Sequence, residues 1–121
     1  SSPPDGVASE AFPYRDLLQR AIARLPRETG VVLVAPPNFH TILPVPGTRA
    51  AREREACNAA FRTLVTGRPH SNLLDYRVDN ALTRDPKNFI DFIHYRAPIA
   101  GHLNDGIIAS LRDGEAARLD F

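Results

Sequence analysis

The stretch Gly30-Val31-Val32-Leu33-Val34-Ala35-Pro36-Pro37 decides the fold. An apolar run rich in valine sits between a glycine and two prolines, too short for a helix and well suited to a strand. Because no polar residue interrupts it, both of its faces are expected to be covered, as in a parallel sheet between helices. The segment from Pro36 to Gly47 then carries four prolines and cannot be regular. It reads as a loop leaving the carboxyl end of the strand, the place where α/β sheets usually hold their ligands.

Working outward, Pro13 suits the first position of a helix in which Tyr14, Leu17, Leu18, Ala21, Ile22 and Leu25 recur at helical spacing. Pro26 and Gly30 stop it. Beyond the Pro-rich loop, Thr48 caps a helix expected to run to about Gly67, with Ala50, Ala51, Cys57, Ala60, Phe61, Leu64 and Val65 on its buried stripe. A second strand is expected over Leu73 to Val78, then an irregular stretch from Asp79 to Asn88. Pro98 opens a last helix in which Ile99, Leu103, Ile107 and Leu111 share a face and which Gly114 closes. The order helix, strand, helix, strand, helix predicts an α/β fold with parallel strands. Two strands cannot cover three amphipathic helices, so self-association or completion by a missing N-terminal part of the parent chain is expected.

Composition bounds the rest. The 121 residues, 43% of them apolar, suffice for one domain with a core. We expect residues 1–11, rich in Ser and Pro, to be a flexible arm, and residues 12–121 to be a single α/β domain or domain fragment. A net charge of +1, with both signs interspersed, offers no footprint for nucleic acid. No apolar run reaches transmembrane length. The single cysteine, Cys57, excludes an internal disulfide and lies on an apolar helix face, as a structural thiol would. A chain without methionine that begins Ser1-Ser2-Pro3-Pro4 reads as an excised segment, with any targeting signal upstream.

The chemistry concentrates in Asp91-Phe92-Ile93-His94. A spacing of three sets a carboxylate beside an imidazole if the backbone there turns helically. The acid then orients one ring nitrogen and leaves the other for a hydroxyl, the pairing that makes histidine a general base. A structural pair that only stabilises the following helix entry is the alternative. The block from Thr83 to Pro98 resembles the end of the SGNH hydrolases, also called GDSL-type esterases, in which D-x-x-H precedes a closing helix. Val31 to Pro37 is similar to the penultimate core strand of that family, and the run ending in Leu74-Asp75-Tyr76 to the last.

That resemblance implies the C-terminal part of a flavodoxin-like, three-layer α/β/α domain and a Ser-His-Asp hydrolase or acyl transferase acting on O-acyl groups. It also implies a place in the cell envelope or periplasm. Asp91 would orient the imidazole and His94 would take the serine proton. The family's Gly-Asp-Ser and G-x-N-D blocks are absent. Gly101-His102-Leu103-Asn104-Asp105 is one residue too long for the latter and falls after His94. Ser1, Ser2, Ser9, Ser71 and Ser110 all lack a nucleophile's setting. The chain alone is therefore expected to be inactive. His40, on the Pro-rich loop, and Arg96, two residues past His94, are candidate substrate contacts. No metal or other cofactor is expected, because Asp91, His94, His102 and His40 lack the close spacing of zinc ligands. A non-catalytic domain for self-association or partner binding remains the rival reading.

Overall fold

The computed structural model describes residues 12–114, so the expected arm lies outside the described residues, as does the end of the chain from 115 onward. The fold is mixed α/β. Helix α1 (Pro13–Ala23) leads to strand β1 (Val32–Ala35), helix α2 (Arg49–Arg62) and strand β2 (Asn72–Asp75). The short helix α3 (Ala81–Arg84) and the long α4 (Ala97–Asp113) follow, with single 3-10 turns at His40–Ile42 and Pro86–Asn88. β1 and β2 pair in parallel, Val32 opposite Asn72 and Ala35 opposite Asp75.

Local chemistry accounts for the ends of these elements. Pro13 and Pro98 sit in the first turns of their helices, where the missing N–H costs nothing. Thr48 accepts the Ala51 N–H at 3.3 Å as N-cap of α2, a device worth about 1 kcal/mol. Gly114 closes α4 at φ +73°, a left-handed position that a side chain would strain. Gly30 is needed for a different reason: a Cβ there would lie 2.9 Å from the His70 carbonyl oxygen. That close approach brings together the segments that enter β1 and β2.

Several boundaries differ from the expectations. β2 stops at Asp75, because the Asp75 carboxylate takes the Arg77 N–H at 3.0 Å and turns the chain out of the ladder. The Val31 N–H goes to Ser71 Oγ at 2.8 Å and not to a strand neighbour, so β1 begins one residue later than expected. α2 ends at Arg62, where the Thr63 and Thr66 hydroxyls donate to the Ala60 and Arg62 carbonyls. The stretch from Asp79 to Asn88 contains α3, whose Asn80 and Thr83 satisfy each other's backbone N–H groups.

The core lies between the sheet and α4. Leu74, Tyr76, Phe89, Ile99 and Leu103 are buried together, with Val32 and Val34 packed against them. Each such aliphatic side chain contributes about 1.5–3 kcal/mol of burial. On the other side, Asn58 of α2 hydrogen-bonds Asp75 at 2.7 Å. α1 buries only Ile22; Tyr14 and Leu17 on the expected stripe face solvent. Hydrogen bonds hold it instead. Arg15 donates to the Ala60 carbonyl and the Thr63 hydroxyl, and Arg68 donates to the carbonyls of Ile22, Pro26 and Thr29.

Candidate active site

Asp91 and His94 sit on a tight hairpin. Phe89 and Tyr95 form an antiparallel bridge, Ile90 N–H donates to the His94 carbonyl at 2.8 Å, and Arg96 N–H donates to the Asn88 carbonyl at 2.7 Å. Asp91 braces the tip from within: its Oδ1 accepts the N–H groups of Ile93 and His94, both at 2.9 Å. The backbone here is thus an Asx-type turn and not the helical turn expected from the spacing. Either conformation sets the two side chains next to each other.

His94 Nδ1 lies 2.8 and 2.7 Å from the two carboxylate oxygens of Asp91. That contact holds the proton on Nδ1 and leaves the Nε2 lone pair as the basic site. The His94 side chain is 64% exposed, and among the described residues nothing hydrogen-bonds Nε2. The Ile93 N–H, and after it the His94 ring, hold the Asp91 carboxyl below its ordinary value. Asp91 therefore stays ionised wherever histidine titrates, as an orienting carboxylate must.

The Pro-rich loop runs alongside. Phe39 N–H donates to the Phe92 carbonyl at 2.8 Å, and the Phe39 ring lies 5.6 Å from Phe89 and 6.4 Å from Phe92. His40 packs edge-on against Phe39 with ring centroids 4.7 Å apart. It also faces Asp79, whose carboxyl is held low by Arg84 at 2.6 and 2.9 Å and, more weakly, by His40. The structure thus brings His40 to the loop that touches the dyad hairpin. Arg96 closes that hairpin, its Nε donating to the Phe89 carbonyl at 3.3 Å. Phe92, Ile93 and Ile90 stand exposed around the dyad, with Ile42 and Val45 exposed on the adjoining loop.

No described serine faces His94. Ser71 Oγ is committed to Val31 N–H and the Pro69 carbonyl, and Ser110 is fully buried in α4. Gly101 to Asp105 lie within α4. Cys57 is half-buried and its thiol is pushed up by burial, which makes it a poor nucleophile. Among the described residues no three His, Cys, Asp or Glu side chains converge to hold a metal ion, and no helix is long and apolar enough to cross a membrane.

One cluster escaped the sequence reading. Asp75 accepts Arg77 Nε at 2.7 Å, Arg77 Nη2 at 3.0 Å, the Arg77 N–H at 3.0 Å and Asn58 Nδ2 at 2.7 Å. Burial pushes this carboxyl up, but the Arg77 and Asn58 hydrogen bonds outweigh it and hold the group low. Arg54 lies beside the network, and its position within the stripe from Ala51 to Cys57 was the available signal. No protein-family model, curated protein or solved structure matches the chain.

Proposed function

We propose that this chain supplies the acid and base of a Ser-His-Asp ester hydrolase or O-acyl transferase of the SGNH type. The observation that carries the reading is the Asp91–His94 contact at 2.7–2.8 Å with Nε2 open to solvent. In this reading His94 Nε2 takes the proton of a serine hydroxyl as it attacks an acyl carbon, then returns it to the leaving alcohol. Asp91 keeps the imidazole in the required tautomer and stabilises the imidazolium. The hydroxyl and the oxyanion donors come from elsewhere, in a preceding part of the parent chain.

The fold side of the proposal is a three-layer α/β/α domain of which this chain is the carboxyl-terminal part. Support comes from β1–β2 packing α4 on one face while Asn58 of α2 meets Asp75 on the other. His40 and Arg96 are proposed to contact substrate: His40 from the loop tied to Phe92, Arg96 from the hairpin base.

The test is acetyl-ester turnover by the parent polypeptide that contains this segment. His94→Ala is expected to lower kcat by about 10³-fold or more, and Asp91→Asn by up to about 10⁴-fold, with the circular dichroism spectrum unchanged. Unaltered turnover in His94→Ala would discard the reading. The 121-residue chain alone should show no His94-dependent turnover, and finding it would overturn the claim that the nucleophile lies elsewhere.

A further inference from the structure

We infer that the cavity between the carboxyl-terminal ends of α1 and α2 binds a small zwitterion with an apolar body, an α-amino acid or a short peptide. The cavity measures about 540 Å³, within the range of about 300–1,000 Å³ usual for small-molecule sites. Its walls differ in kind. Ile22, buried in α1, and Leu64, half-buried just past the end of α2, offer apolar surface. Arg27 and Glu28 line it from the turn after α1, which the Thr29 N–H closes onto the Pro26 carbonyl at 3.1 Å.

The charges decide the class of ligand. Arg68 also lines the cavity, but its guanidinium is committed: Nη1 donates to the Pro26 and Thr29 carbonyls, both at 2.8 Å, and Nη2 to the Ile22 carbonyl at 3.2 Å. Those bonds fasten the turn after α1 to the segment that enters β2, and so hold the two sides of the cavity together. Arg27 and Glu28, by contrast, have no hydrogen bond or ion pair with any described residue. A free cation and a free carboxylate thus stand on adjacent residues lining one concavity. A plain anion drawn to Arg27 would meet the Glu28 carboxylate, and a plain cation drawn to Glu28 would meet Arg27. A molecule carrying both signs satisfies both, its carboxylate on the Arg27 fork and its ammonium on Glu28. Thr66 Oγ1, which donates to the Arg62 carbonyl, keeps lone pairs for the same ammonium. The apolar remainder rests on Ile22 and Leu64, where removal from water is favourable. Arg27 and Glu28 precede β1 and Arg68 precedes β2, so the site lies at the amino ends of the strands. The Pro-rich loop leaves the opposite end toward the dyad hairpin, and the site stands whether or not His94 acts as a base.

The experiment follows the backbone ¹H–¹⁵N resonances of the full chain as leucine, leucyl-leucine, N-acetyl-leucine or leucinamide is added. Leucine or leucyl-leucine should shift the Gln19, Ile22, Leu64 and Gly67 amides together and saturably. The tighter of the two assigns the source, a free amino acid or a peptide. N-acetyl-leucine, which lacks the ammonium, and leucinamide, which lacks the carboxylate, should bind at least about tenfold more weakly. Arg27→Gln and Glu28→Gln should each weaken binding of the zwitterion by about tenfold or more. Both variants should melt at the wild-type temperature, because the two residues are exposed and bond to nothing in the described chain. No saturation by about 10 mM of either zwitterion, equal binding of either singly charged analogue, or wild-type affinity in either variant would each overturn the site.

Discussion

Replacing Asp75 with alanine tests how much of this fold hangs on one carboxylate. The side chain is 13% exposed and that of Arg77 25%, with the closest oxygen–nitrogen contact 2.7 Å. Removing one partner of a fully buried pair costs about 3–5 kcal/mol, whereas an exposed pair is worth about 0–1 kcal/mol. The partial burial here, with Asn58 also losing its acceptor, places the loss at about 2–3 kcal/mol. A domain of this size has only about 5–15 kcal/mol in total. Urea unfolding followed by circular dichroism should show the midpoint falling by about 1–2 M with the slope unchanged.

The pH dependence supplies a second readout. The folded Asp75 carboxyl lies below the ordinary value of 3.8, so it stabilises the native state above that value and the contribution is lost as pH falls through the lower folded one. The gap between wild type and Asp75→Ala should stay level from pH 7 to about pH 5 and contract only below about pH 4. A gap under about 0.5 kcal/mol at pH 7, or one that already narrows between pH 7 and 5, would refute the reasoning.

Two further outcomes are expected. Carbon-detected titration of the Asp91 carboxyl should give a midpoint below 3.8, rising toward that value in His94→Ala because one of its hydrogen bonds is lost, and a wild-type midpoint at or above 3.8 would deny the pairing. Light scattering at micromolar concentration should report a dimer or larger species, since the two-stranded sheet has unpaired strand edges among the described residues and Phe92, Ile93, Tyr14 and Leu17 lie exposed; a compact monomer would count against association.

Much of the candidate site was legible because its defining contact is local. Asp91 and His94 stand three residues apart, close enough to meet in a helical turn or in a hairpin tip. Which of the two they adopt was not legible. The hairpin depends on Phe89 reaching Tyr95 and on Phe92 reaching Phe39, and the second of these pairings is remote in sequence. The Arg54, Asn58, Asp75 and Arg77 cluster was missed for the same reason: α2 and β2 must first pack before its members become neighbours.

The sequence by itself determined the kind and order of the main elements. A β-branched run between Gly30 and Pro36, proline in the first turns of α1 and α4, Thr48 at a cap and Gly114 past a helix end are choices made by dihedral preference and by hydrogen bonds within a few residues. Tertiary structure alone decided which half of the α1 stripe is covered and where Asn58 of α2 meets Asp75 and Arg77. Those outcomes turn on desolvation and on competition for hydrogen-bond acceptors between distant segments, and that competition begins only once the chain has folded.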